Sequence, residues 1–253
     1  MRSLFLTLLL LPIISFAAAH CFIVSDGKGK TIHEEGDCRT PETPASTFKI
    51  PLALMGFDSG ILKGAEEPVW AYKPEYSDYL PSWKHDQTPR SWMRNSVVWY
   101  SQLLTKQLGM EKFQSYVDLF NYGNKNLSGD SGKNNGLTNA WLESSLKISP
   151  QEQIVFLKHL VNHDWKLSSA AYNDTKDILQ RGTIADDWKL FGKTGSATPI
   201  GWFVGWVEKD GKIYLFAYLK RDEHPNKDPI GRAENRVNDA KAKLEAFLRS
   251  VKS

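Results

Sequence analysis

The dipeptide Asp210-Gly211 sits between two apolar runs, residues 201–208 and 212–219. Asp-Gly suits the positive backbone angles of a two-residue hairpin turn, so the flanking runs should pair as antiparallel strands. Residues 188–194 read as a further strand ahead of them. After Pro229 the residues Val237, Ala240, Leu244, Phe247, Leu248 and Val251 recur at helical spacing, which gives one apolar face to pack on that sheet. At the other end of the chain, short strands over 21–25 and 31–35 flank the turn-forming Asp26-Gly27-Lys28-Gly29. Between about 58 and 185 the signals are helical, with long loops. Ser149-Pro150-Gln151-Glu152 is a capping box with proline at the first helical position, and Ile154, Leu157 and Val161 then form one face. By contrast Trp70, Tyr72, Tyr76, Tyr79 and Trp83 follow no period, and residues 123–136 are rich in Gly, Asn and Ser, so both stretches read as exposed and irregular. The fold class is α+β: an antiparallel sheet flanked by N- and C-terminal helices, with an inserted all-helical lobe and a cleft where the lobes meet.

Residues 1–19 read as a secretory leader: Arg2, an apolar run over 4–16 broken by Pro12, then Ala17-Ala18-Ala19. Residues 20–253 then form a single domain. The apolar run falls short of the ~20 residues of a membrane span, and nothing later approaches that length. His20 stands where a lipidated cysteine would need a small residue before it. The mature chain is therefore expected to be soluble and exported, with the periplasm as its destination. In that compartment Cys21 and Cys38, placed across the N-terminal hairpin from each other, are expected to form a disulfide. Closing that loop is worth roughly 3 kcal/mol in the chain-entropy account. The balance of 32 Lys+Arg against 29 Asp+Glu leaves +3 with no basic tract, so nucleic-acid binding has no electrostatic footprint. The six histidines are scattered, and only His159 and His163 share a helical face. Neither a metal site nor a bound organic cofactor is expected.

A serine is activated when a lysine one helical turn later can take its proton. Ser-x-x-Lys occurs at Ser25, Ser46 and Ser144, ending at Lys28, Lys49 and Lys147. Ser25 runs into a glycine turn, and Ser144 lies in the stretch before the capping box. Only Ser46 opens a largely apolar helix, through Phe48, Ile50, Leu52, Ala53, Leu54 and Met55. There the helix dipole favours an attacking alkoxide, and burial would strip Lys49 of its proton. The plainer alternative is a serine cap beside a lysine that reaches the surface. A second element, Lys193-Thr194-Gly195, ends the strand over 188–194. It offers a cation and a hydroxyl for a substrate carboxylate, and a glycine that permits close approach.

Taken in order, Ser46-Thr47-Phe48-Lys49, Ser96-Val97-Val98, Tyr122-Gly123-Asn124, Trp141-Leu142 and Lys193-Thr194-Gly195 resemble the boxes of a class D β-lactamase, within the serine β-lactamase and transpeptidase superfamily. The likeness spans the whole mature chain. Val98 stands where class A enzymes and many penicillin-binding proteins carry asparagine. The resemblance implies an antibiotic-resistance hydrolase that opens the β-lactam ring of penicillin-type substrates through an acyl-enzyme at Ser46. It also implies that Lys49 is carboxylated by CO2 or bicarbonate to N6-carboxylysine and serves as base in both half-reactions. Trp141 would hold the carbamate, and Val98 and Leu142 would keep its niche apolar. Backbone N–H groups of Ser46 and Ser196 would form the oxyanion hole, and Ser96 with Lys193 would relay a proton to the leaving nitrogen. Lys193, Thr194, Gly195 and Arg232 would bind the substrate, with Arg232 taking its carboxylate; Arg221 and Arg236 are nearby alternatives. Tyr122-Gly123-Asn124 would shape the cleft wall. Two other readings compete: a membrane-tethered β-lactam receptor that acylates without turning over, and a cell-wall transpeptidase or carboxypeptidase, which Val98 argues against. The partner expected is a small-molecule β-lactam, with the chain a monomer or homodimer.

Overall fold

The structure, a computed structural model, describes residues 20–221 and 229–251, without the side chains of 229–236. The leader expected over 1–19 lies outside the described residues. Six strands form one antiparallel sheet: β1 (His20–Asp26), β2 (Thr31–Gly36), β3 (Gln180–Ile184), β4 (Trp188–Ser196), β5 (Ile200–Lys209) and β6 (Lys212–Arg221). Their order is β2-β1-β6-β5-β4-β3, so the first strand pairs with the last in the middle of the sheet. The expected hairpin is present, with Lys209 opposite Lys212, and Asp210 and Gly211 at φ 49° and 76°.

β5 is buried along most of its length because both faces of the sheet are covered. Phe203 and Val207 face Ala240, Leu244, Phe247 and Leu248 of the closing helix α8 (Pro229–Ser250), whereas Trp202, Val204 and Trp206 belong to the core of the helical lobe. Val251 departs from the expected face: the helix ends at Ser250, and Val251 lies in a turn, 37% exposed. The lobe is built from α1 (Lys49–Asp58), α2 (Pro89–Asn95), α3 (Val98–Leu108), α4 (Met110–Leu119), α5 (Gly136–Asn139), α6 (Pro150–Asn162) and α7 (Ser169–Ile178). Among the described residues no helix is long and apolar enough to cross a membrane.

α6 starts at the predicted capping box: Glu152 N donates to Ser149 Oγ, and Ser149 N donates to the Glu152 carboxylate at 2.7 Å. Two parts of the middle region differ from expectation. β3 falls inside the stretch read as helical; as an edge strand, mostly exposed, its sequence Gln-Arg-Gly-Thr-Ile has no apolar alternation to betray it. The stretch 70–83 is irregular as expected, with Tyr79 63% exposed, but it is not exposed throughout, and its other rings pack: Trp83 is buried, Tyr76 stacks on Trp99 at 5.2 Å, and Trp70 lies 4.1 Å from Tyr100. Trp99 Nε1 donates to Trp83 O, and Trp83 Nε1 donates to Asn95 O, which ties this segment to the turn between α2 and α3. The disulfide joins Cys21 to Cys38 with Cα atoms 5.0 Å apart, just past the pairing of Cys21 with Gly36.

Candidate active site

Ser46 sits in a single 3-10 turn, Ala45–Phe48, that runs directly into α1. The approach to that turn is held by one buried side chain. Thr43 Oγ1 donates to Trp141 O and accepts from Glu143 N, both at 3.0 Å, while Thr43 O accepts from Trp202 Nε1 of β5. Thr47 Oγ1 closes the turn on Pro44 O at 2.7 Å. Below it Gln153, buried on α6, donates through Nε2 to both Thr47 Oγ1 and Tyr122 OH.

Lys49 is the first residue of α1, and it is fully buried. Its Nζ donates to Ser46 Oγ at 3.2 Å, and burial alone pushes its ammonium down to about 7. The plainer reading, a lysine reaching the surface, is thereby excluded. Of the three Ser-x-x-Lys pairs, this one brings serine and lysine together; Ser25 Oγ is buried without a hydrogen-bond partner among the described residues, and Ser144 faces Asp130. Trp141 stacks on Phe48 at 5.6 Å and is likewise fully buried, yet its Nε1 has no partner among the described residues. An indole N–H left unpaired in a dry interior costs free energy, so it marks a place where an acceptor belongs. Leu142 and Val98, half-buried, pack against the same core.

The second half of the site comes from β4 and the end of α2. Ser96 closes α2 in the left-handed region, φ 63°, which turns the chain sharply before α3. Its Oγ accepts from Lys193 Nζ at 2.6 Å, and the same Nζ donates to Thr194 O at 2.9 Å and Thr194 Oγ1 at 3.3 Å. Lys193 is fully buried; burial, then the positive charges of Arg181 and Lys49, push its ammonium well below the usual lysine range. Gly195 has a role that the sequence did not disclose. A Cβ there would lie 2.9 Å from Pro44 O and 3.2 Å from Thr47 N, so glycine lets β4 press against the turn that carries Ser46. Ser196 ends β4, exposed and paired with Gly201.

Ser46, Lys49, Ser96 and Lys193 thus form two serine–lysine pairs in one centre, with Thr194 beside them. The Tyr122-Gly123-Asn124 box supports this centre from behind. Tyr122 is buried on Gln153, a Cβ on Gly123 (φ 51°) would overlap Lys147 O, and Asn124 bridges Ser145 O and Lys147 N. Arg221 is consumed elsewhere, by Glu42 at 2.9 Å, Asp37 at 3.5 Å and the carbonyls of Asp37 and Thr40. The side chains of Arg232 and Arg236 lie outside the described residues. His159 bonds Asp164 and His163 stacks on Tyr172; among the described residues no three His, Cys, Asp or Glu gather as metal ligands. Thr43, Gln153 and Arg181 were missed by sequence reasoning. The one available signal was an amide, Gln153, next to the apolar positions of α6.

Comparison with known proteins gives a matching picture. Residues 29–242 match the family model for the penicillin-binding protein transpeptidase domain. The chain is 43% identical to the β-lactamase OXA-9 of Klebsiella pneumoniae over 240 residues, covering 87% of this chain and 88% of that protein. It is 39% identical to the β-lactamase OXA-1 of Escherichia coli over 206 residues, covering 78% of this chain and 74% of that protein. The crystal structure of the class D β-lactamase OXA-427 superposes with a TM-score of 0.84 at 44% identity, covering 91% of this chain and 99% of that one.

Proposed function

The chain belongs to the class D β-lactamases, and from that membership we propose that it opens the β-lactam ring of penicillin-type antibiotics through an acyl-enzyme at Ser46, with a carboxylated Lys49 as base. The observation that carries the reading is the buried Ser46–Lys49 pair beside the unpartnered indole N–H of Trp141. Only a neutral amine adds CO2. With its ammonium pushed down to about 7, Lys49 is neutral in about half of the molecules at pH 7, against a few in ten thousand for an ordinary lysine. A carbamate formed there would supply the base for acylation and for the later attack of water. The donor set fits such a group, because Trp141 Nε1 has a hydrogen bond to give and the surrounding core keeps water away.

Ser46 Oγ attacks the lactam carbonyl, the C–N bond of the ring breaks, and Ser46 carries the acyl group until water releases it. Backbone N–H groups at Ser46 and Ser196 would stabilise the oxyanion. Ser96, held at 2.6 Å by Lys193, would pass a proton to the departing ring nitrogen. Thr194, Gly195 and Arg232 would hold the substrate, with Val98 and Leu142 lining the niche. Export of the mature chain to the periplasm, following the leader at residues 1–19, completes the reading. The experiment is turnover of a chromogenic cephalosporin and of oxacillin by the mature protein, with and without bicarbonate. Turnover stimulated by bicarbonate supports the proposal; one equivalent of stable acylation without turnover would replace it with a receptor role.

A further inference from the structure

The pairing of β3 with β4 slips by one residue: Gln180 is opposite Phe191, whereas Thr183 is opposite Lys189. Gly182, inside the slip, has φ 87°. Such a bulge bends an edge strand and re-aims a side chain, and bulges recur beside active sites. Here the re-aimed side chain is Arg181. Its Nε donates to Gly192 O at 3.1 Å, on the residue before Lys193. Arg181 also lines a cleft of about 750 Å³ together with Arg94, Thr194, Phe203, Asn238 and Lys241.

That cleft adjoins the Ser96–Lys193 pair through Thr194, whose Oγ1 accepts from Lys193 Nζ at 3.3 Å. Arg94 stands two residues before Ser96. Three cations line it, and among the described residues no carboxylate does so or pairs with any of the three. The nearby Asp239 is engaged by Lys220 at 2.9 Å. Burial and the charge of Arg94 both loosen Arg181's hold on its proton, the signature of a cation short of counter-charge. With one N–H spent on Gly192 O, the far edge of the guanidinium remains suited to a two-point contact with a carboxylate.

We propose that Arg181, seconded by Arg94, is a specificity-determining contact for the carboxylate on the ring fused to the lactam. The assignment rests on the β-lactam reading above. It adds to Arg232 a guanidinium delivered from the edge strand, and it leaves Arg221, already ion-paired, out of the carboxylate site.

The test compares benzylpenicillin with its methyl ester, which differ in charge at the carboxylate, as substrates of the mature enzyme and of Arg181→Gln, Arg181→Lys and Arg94→Gln. The acid-to-ester ratio of kcat/KM should fall roughly tenfold in Arg181→Gln, mostly through KM for the acid. It should fall by a smaller factor in Arg94→Gln and be largely retained in Arg181→Lys. Equal losses on acid and ester would reduce Arg181 to a strut for Gly192 and overturn the proposal, as would an unchanged ratio. Should Arg181→Gln fail to fold, the exposed Arg94→Gln decides: an unchanged ratio there overturns the proposal. A wild-type enzyme that opens neither compound removes the hydrolase reading, and this assignment falls with it.

Discussion

Lys193 Nζ lies 2.6 Å from Ser96 Oγ although the two residues are 97 positions apart. The contact joins a sheet strand to a left-handed turn of the helical lobe, and the cleft between the two lobes is defined by it. On the lobe side of that cleft stands the Ser46–Lys49 pair, so two lysines bury their amines in one centre with no carboxylate pairing them among the described residues. Such an arrangement disfavours the charged form of each, and the first predictions follow from that.

Lys49→Ala should lower kcat/KM by about 10³ or more, and bicarbonate should not restore it. Steady-state hydrolysis of a chromogenic cephalosporin checks this. A variant with wild-type turnover would remove the carbamate mechanism. Lys49→Met, of similar volume, should raise the melting temperature while abolishing turnover, because it replaces a buried amine with an apolar side chain that has no polar group to desolvate.

The pH profile should show an acid limb set by Lys49. Its ammonium is held down to about 7, so below that pH the amine is protonated and cannot add CO2. Activity at ambient CO2 should fall as pH drops through about 7, and added bicarbonate should move the limb to lower pH by mass action. Stability moves in the same direction. The unfolded chain binds this proton up to about pH 10.5 and the folded one only to about 7, so Lys49's contribution to stability increases between those values. Rate and melting profiles against pH, for wild type and Lys49→Met, test both statements.

Trp141→Phe keeps a ring against Phe48 and removes the N–H. Because that N–H has no partner among the described residues, folding stability should change little, while activity at ambient CO2 should drop and recover in part with bicarbonate. Trp141→Ala should instead destabilise by about 3–5 kcal/mol, the usual cost of an emptied aromatic site. Thermal unfolding and bicarbonate titration separate the two effects.

Reducing the Cys21–Cys38 bond, or replacing both residues with serine, should cost roughly 3 kcal/mol of stability and leave kcat of the folded fraction close to normal. Denaturant titration with and without reductant measures the first, and native mass before and after reduction verifies the bond.

Sequence reasoning found the parts of this site whose geometry is local. Ser46 and Lys49 are one helical turn apart, the Asp210-Gly211 turn sets the register of β5 and β6, and the hairpin places Cys38 beside Cys21. It failed where tertiary contact decides. Nothing in Gln-Arg-Gly-Thr-Ile announces an edge strand, since an edge needs no alternation of apolar residues. Thr43 and Gln153 are ordinary until the fold buries them behind Ser46. Trp83 belongs to no periodic segment, yet it is sealed by Trp99 and Asn95. Gly195 also makes room for the turn ahead of α1, a close approach that only the folded chain reveals.

The pairing of β1 with β6 has a consequence for biogenesis. The ribosome makes His20–Asp26 early and Lys212–Arg221 nearly two hundred residues later. A nascent chain therefore carries β1 without its central neighbour until β6 has emerged, and the sheet cannot close before then. A chain cut short ahead of β6 would leave β1 and β5 each without the strand that joins them, and so two half-sheets in place of one.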